Sequence, residues 1–167
     1  MTKVTRAAHK DRQYWLLKSE PGTFSIDDLW NRPDRTTHWD GIRNFQARNF
    51  MRDEMKKGDL AFFYHSGAEP GIVGIVEIVK EAYPDHTALD PNDPHFDPKS
   101  KGAEGSWVMV DIRGVERLQR AVTLAELRQR PELAGLSLLK KGNRLSVQKV
   151  GPAEWNAVVA LSKQTQG

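Results

Sequence analysis

The 167-residue sequence contains no cysteine. Disulfides, thiolate metal sites and cysteine nucleophiles are therefore excluded. No apolar run approaches the roughly 20 residues that a membrane-spanning helix needs. The HExxH, GxSxG and P-loop patterns are also missing, and His65, His86 and His95 lack metal-ligand spacing. We therefore expect neither a metal nor a cofactor.

The charge balance is only mildly basic, with 25 Lys and Arg against 22 Asp and Glu. This balance is compatible with a polyanionic partner but is also common among ordinary soluble proteins. The polar segment 1–13 has no hydrophobic stretch, so we predict a flexible basic tail and not a secretory signal. We predict one domain over 14–162, a flexible C-terminus over 163–167, and a soluble intracellular location (cytoplasmic in a bacterium, nuclear in a eukaryote).

Apolar patterns predict several strands and short helices at irregular spacing. The predicted strands cover 14–18, 60–65, 71–79, 107–112, 118–122 and 144–150. The predicted helices cover 25–30, 44–55, 123–127 and 151–161. Strict βαβ alternation is missing, so we predict an α+β fold, a small mixed β-barrel with peripheral short helices. The irregular segment 84–105 is long enough to suggest a functional excursion.

Residues 38–50 combine an indole, carboxylate, amides and guanidinium groups around one glycine. Trp39 offers a flat face on which a base can stack, a contact worth about 1–3 kcal/mol. Asp40 can accept from an exocyclic amine, Asn44 can donate and accept, and Arg43 and Arg48 can neutralise phosphates. This set suits an unstacked nucleobase, although a buried Trp beside a capped, solvated helix explains it equally well.

Seven blocks in a shared order resemble the EVE domain, a branch of the PUA-like superfamily. They are Trp15–Pro21, Trp39–Phe50, Phe62–Ser66, Pro70–Gly74, Val79–Asp85, Pro94–Ser100 and Arg144–Val147. The resemblance covers 14 to about 161 and implies a PUA-like barrel with a pocket on one side. It also implies a non-catalytic reader of modified cytosine in DNA, such as 5-methylcytosine or its oxidised forms, reached by base flipping.

The superfamily leaves two alternatives open. The related YTH fold reads methyladenosine in RNA, so an RNA-binding module acting on tRNA or structured RNA is the second hypothesis. ASCH-like relatives include amidohydrolases and ribonucleases that act on modified nucleotides. In that third case Lys18 and Glu20, with Ser19 or Thr23, would supply a nucleophile and an acid/base pair.

The resemblance assigns two groups of residues. The base pocket would include Lys18, Ser19, Glu20, Trp39, Asp40, Gly41, Asn44, His65, Ser66 and Trp107. The phosphate contacts would be Arg43, Arg48, Arg52, Lys56 and Arg144.

Individual roles remain open between functional and structural readings. Trp39 is the predicted stacking platform or a core residue, and Trp107 is the better candidate for the core. Asp40 or Glu20 would accept from the cytosine amine, unless Glu20 pairs with Lys18. Asn44 reads the base, caps a helix, or does both.

The cationic row is equally ambiguous. Arg48, Arg52 and Lys56 are four residues apart and would share one helix face. Such a face is commonly just solvated, and a phosphate contact would show itself in the salt dependence of binding.

Overall fold

A computed structural model describes residues 12–99 and 107–164. Most of the predicted N-terminal tail and the last three residues lie outside these ranges. The strands are β1 Tyr14–Ser19, β2 Thr36–Trp39, β3 Leu60–His65, β4 Gly71–Pro84, β5 Val108–Thr123 and β6 Val147–Val150. The α-helices are α1 Ile26–Trp30, α2 Phe45–Asn49, α3 Leu124–Arg128 and α4 Pro152–Ser162. Short 3₁₀ turns cover Pro33–Arg35, His86–Leu89, Pro131–Leu133 and Ser137–Leu139.

The strands form one mixed six-stranded sheet in the order β2-β5-β4-β3-β1-β6. β1 runs parallel to β3, and the other neighbouring pairs are antiparallel. The two strands predicted over 107–112 and 118–122 are parts of the single strand β5. The predicted α+β architecture, a mixed sheet with short helices, is confirmed.

Side chains of β1 alternate between two hydrophobic cores, as the period of a strand requires. Trp15 and Leu17 belong to an inner core with Trp39 and Phe63. Leu16 belongs to an outer core in which α4 packs on the opposite face of the sheet. Both faces of the central strands are therefore buried, which explains why β1 and β3 are nearly continuous apolar runs.

Gly74 lies at an irregularity of the β4–β5 pairing, where the register shifts between Ile72 and Gly74. A Cβ at this position would lie 2.7 Å from Cδ1 of Ile26 in α1. This glycine thus combines an irregular strand register with a close approach between β4 and α1, two features for which glycine is favoured within strands.

The single helix predicted over 44–55 is wrong in its second half. α2 ends at Asn49, and Phe50–Glu54 forms a π-helical turn. The Met55 N–H closes this turn by donating to the Phe50 carbonyl. Met55 is extended, so Lys56 lies beyond the helix. The wider turn and the early end destroy the four-residue spacing on which the predicted cationic row depended.

Candidate functional site

An open cavity of about 390 Å³ lies where the two edges of the sheet approach each other. Thr37, His38 and Trp39 line it from β2, at one edge of the sheet, and Ser146 lines it just before β6, at the other edge. Lys18, Ser19 and Glu20 contribute from the end of β1. Because both edges reach one cavity, the sheet curls into a nearly closed barrel.

The apolar wall is formed by Phe24, Trp39 and Ile42. Trp39 is only 8% exposed, and its ring meets those of Phe24 and Phe63 edge-on at centroid distances of 6.3 and 5.6 Å. Trp39 is thus both a core residue and a wall of the cavity, so the two readings left open by the sequence coexist. Sequence reasoning missed Phe24; its signal was an aromatic residue directly before the N-cap Ser25.

The Asp40 carboxylate has unused hydrogen-bonding capacity. Among the described residues, the imidazole nitrogens of His38 and His95 lie near this carboxylate, at 3.8 and 3.7 Å. Both distances exceed a normal hydrogen bond. His95 Nδ1 is buried without a hydrogen-bond partner in the described part of the chain. Asp40 can therefore accept hydrogen bonds from a ligand in the cavity.

Glu20 is held by a neighbouring hydroxyl instead of by Lys18. Ser66 Oγ lies 3.3 Å from Glu20 Oε1, and no Lys18–Glu20 ion pair occurs within residues 12–99 and 107–164. Ser19 Oγ donates to the carbonyl of Phe24. Burial lowers the pKa of the Lys18 ammonium below its ordinary value.

A buried carboxylate, Asp85, fixes the loop that follows β2. Its Oδ2 accepts from the Gly41 backbone N–H at 2.9 Å and from Arg43 Nη1 at 3.0 Å. The opposite oxygen accepts from Thr87. Burial opposes ionisation, but the hydrogen bonds from Thr87, Gly41 and Arg43 outweigh it, so the pKa of Asp85 lies below its ordinary value.

Arg43 differs from its predicted role as a phosphate contact. Its N–H groups donate to the carbonyls of Ile42 and His95, to Asp85 and to Thr87. These acceptors use all five N–H groups of a guanidinium. Arg43 therefore ties the loop after β2 to the segment around His95.

Four predicted pocket residues do not line the cavity. Asn44 caps α2 by accepting from the Ala47 N–H, which is the structural reading considered for it. His65 Nε2 accepts from the Ile26 N–H, and burial lowers the pKa of this imidazole. Ser66 lies behind the wall of the cavity, where its backbone N–H donates to the Ser19 carbonyl at 2.9 Å and its Oγ lies 3.3 Å from Glu20 Oε1. Trp107 is buried against Phe45, with its Nε1 donating to Asp97.

The remaining predicted phosphate contacts are dispersed. Arg52 makes a two-pronged ion pair with Asp53 at 2.8 and 3.0 Å. Arg48 donates to Asn49 and lies beside the Phe45 ring. Lys56 and Arg144 are exposed, in loops before β3 and β6.

Replacing Gly41 tests how closely the His95 ring packs against the backbone in the wall of the cavity. The φ of Gly41 is +81°, and an added Cβ would lie 2.7 Å from the His95 ring. We expect Gly41→Ala to lower the free energy of unfolding by about 1–3 kcal/mol, measured in urea. Gly142→Ala is the matched control, because φ is +80° but nothing lies within 4 Å. A Gly41→Ala loss no larger than the control would mean that His95 moves aside freely.

Within residues 12–99 and 107–164, no helix is long and apolar enough to cross a membrane. In the same ranges, no group of three or more His, Asp or Glu side chains is arranged to hold a metal ion.

Structural comparison defines the class of protein first. The fold is similar to the YTH domain of the Zygosaccharomyces rouxii MRB1 protein, solved in complex with N6-methyladenosine RNA, at a TM-score of 0.54 and 15% identity. The similarity covers 95% of this chain and 91% of that one. At this identity the likeness concerns the fold alone, an α+β domain built on a mixed sheet.

The chain belongs to the EVE domain family, whose model matches residues 13–161. Human thymocyte nuclear protein 1 is 46% identical over 168 residues, which cover 90% of this chain and 74% of that protein. The crystal structure of the human THYN1 protein in complex with 5-methylcytosine-containing DNA is 44% identical, with a TM-score of 0.87. The alignment covers 92% of this chain and 99% of that one. The family predicted from the sequence blocks is confirmed.

Proposed function

We propose that the protein is a non-catalytic reader of modified cytosine in DNA, and that it takes the target base out of the duplex into the cavity. The observation that carries the proposal is a relative of the same fold, 44% identical, in complex with 5-methylcytosine-containing DNA. The cavity adds a physical reason. Its volume of about 390 Å³ lies within the 300–1,000 Å³ typical of ligand pockets.

Extrusion of the base is the part of the proposal that the cavity supports most directly. A base inside a duplex offers only its groove edges, and flipping it out costs a few kcal/mol. The aromatic wall of Phe24 and Trp39 would replace lost stacking, and the polar wall would replace lost base pairing. A surface that read only the grooves would need no such recess.

Asp40 is the proposed acceptor for the exocyclic amine of cytosine. Its carboxylate is a better candidate than that of Glu20, because Glu20 already accepts from Ser66. A carboxylate that accepts from the cytosine amine is an established mode of base reading. Asp40 also borders Gly41, whose backbone position is fixed by Asp85.

Asp40→Asn should weaken binding of a duplex with one 5-methylcytosine by about tenfold, since one acceptor oxygen becomes a donor facing the amine. Fluorescence anisotropy at fixed salt measures the effect. Glu132→Gln is the control, because it removes one negative charge from an exposed turn outside the cavity. Removing a negative charge should by itself favour DNA, so an Asp40→Asn affinity equal to that of Glu132→Gln would exclude Asp40 as the acceptor.

The direct test compares four labelled oligonucleotides of one sequence: DNA and RNA, each with and without 5-methylcytosine. The proposal requires the modified DNA to bind most tightly. Tighter binding of both RNAs would favour the RNA-binding alternative, since RNA adds a 2′-hydroxyl. Base flipping is tested with a duplex that carries 2-aminopurine opposite the target base. If the target base leaves the helix, the 2-aminopurine loses its partner and its fluorescence should rise.

The enzymatic alternative predicts a product. The observation that weighs against it is that the Ser19 hydroxyl, the candidate nucleophile, donates its proton to the backbone carbonyl of Phe24 and not to a general base. Incubation with modified and acetylated cytidines should leave the substrates unchanged. Turnover by the wild type that is lost in Lys18→Ala would replace the reader proposal.

A further inference from the structure

A second aromatic surface lies outside the cavity. Phe45 is the first residue of α2, and 58% of it is exposed. One face of its ring stacks on the buried Trp107, at a centroid distance of 4.8 Å and an interplanar angle of 23°. Phe45 therefore presents part of a flat aromatic ring to solvent while a buried indole supports it from below.

Because one face of Phe45 lies on Trp107 and 58% of the residue is exposed, we take the opposite face to be accessible to solvent. The Arg48 guanidinium carbon lies 4.9 Å from the Phe45 centroid and 5.9 Å from the Trp107 centroid. Together with the 4.8 Å between the rings, these distances form a triangle whose longest side joins Arg48 to Trp107. Arg48 therefore does not cover the face of Phe45 that is opposite Trp107. A cation over the opposite face of Phe45 would be much farther from Trp107.

We propose that the open face of Phe45 stacks on an unpaired nucleobase of the bound strand, next to the nucleotide held in the cavity. This inference rests on the proposed function and adds a second contact to it. Any base has a π-face, so the contact would add affinity without sequence preference. The guanidinium of Arg48 beside the ring suits the phosphate of the same nucleotide, which favours nucleic acid over an apolar protein partner.

The position of Phe45 relative to the cavity fits this role. Ile42 lines the cavity and lies three residues before Phe45, so their Cα atoms are at most about 11 Å apart. A strand advances about 3.4 Å per nucleotide in B-DNA, which places Phe45 within about three nucleotides of the cavity. Arg43 connects the two places, since it bonds to Asp85 and lies 5.7 Å from the Trp107 centroid.

The test measures the affinity of Phe45→Ala for two duplexes of one sequence in which the nucleotides beside the target are left unpaired, one with a single 5-methylcytosine and one without. We expect both affinities to fall by about tenfold, while the ratio between them and the slope of log affinity against log salt stay unchanged. Phe45→Tyr keeps the ring and should bind like the wild type. Arg48→Ala should instead flatten the salt slope by about 0.9 if it contacts one phosphate.

Val115→Ala is the control, because Val115 is 47% exposed and lines neither the cavity nor the stack. Thermal melts of each variant check that the fold is retained. Phe45→Ala binding within about twofold of the wild type would overturn the inference, whatever the cavity prefers. A different outcome separates the two proposals. If the wild type binds both duplexes equally and Phe45→Ala binds both about tenfold more weakly, the stacking role of Phe45 is supported and the proposed preference for modified cytosine is excluded.

Discussion

Trp39→Ala is expected to lower the free energy of unfolding by about 3–5 kcal/mol and to abolish measurable preference for 5-methylcytosine. The stability loss follows because truncating a buried Trp leaves a large void in a close-packed core. The binding loss follows because the same side chain forms the aromatic wall of the cavity. The sequence left open whether Trp39 is a core residue, and its exposure of 8% shows that it belongs to the core.

A matched variant separates the two effects of this substitution. Trp155 is 5% exposed and stacks on Phe62 in the outer core, on the opposite face of the sheet. Trp155→Ala should cost a similar free energy of unfolding but leave DNA selectivity intact. Binding is compared at a temperature at which circular dichroism shows both variants folded. Equal selectivity of Trp39→Ala and Trp155→Ala would remove Trp39 from base recognition.

Asp85→Ala is expected to cost about 3–5 kcal/mol of stability, since it leaves Arg43 without its buried counter-charge. It also removes the acceptor for the Gly41 N–H, so the wall of the cavity should loosen and binding should weaken. Urea unfolding at neutral pH measures the stability, and anisotropy measures the affinity. Asp90→Ala is the control in the same segment, because Asp90 is exposed and accepts from the Asn92 N–H.

The stabilisation by Asp85 should also depend on pH in a defined direction. Its folded-state pKa lies below the unfolded value, which is about 3.9 for an aspartate. The contribution is therefore fully present above about pH 4 and is lost as the pH falls through the lowered folded-state pKa. The difference in unfolding free energy between the wild type and Asp85→Ala should shrink below pH 4. A difference that stays constant down to pH 2 would show that Asp85 acts without its charge.

Much of the fold was readable from local patterns. The strands β1 and β3 and the helix α1 were predicted from residues close in sequence. The predicted strand over 144–150 begins only at Val147, because the preceding residues form a local turn in which Asn143 Oδ1 accepts from the Leu145 N–H. The π-turn after α2 was not predictable, since no simple residue pattern marks it.

The residues of the candidate site were likewise predictable only in part. Lys18, Ser19, Glu20, Trp39, Asp40 and Gly41 were predicted and line one cavity. His95 and Ser146 were missed as wall residues because they approach β2 only through tertiary packing. The structural role of Arg43 was also not predictable from the sequence. Its partner Asp85 lies 42 residues away. No spacing rule distinguishes an arginine that connects two segments of the fold from an arginine that is available to bind phosphate.

The seam at which the two edges of the sheet meet has a consequence for biosynthesis. One wall of the recess comes from residue 18 and another from residue 146, so the recess cannot exist until the ribosome has released nearly the whole domain. Contacts between such distant parts of a chain form late, because the intervening loop must be closed first. Recovery of DNA binding after dilution from urea should therefore coincide with the last detectable refolding phase.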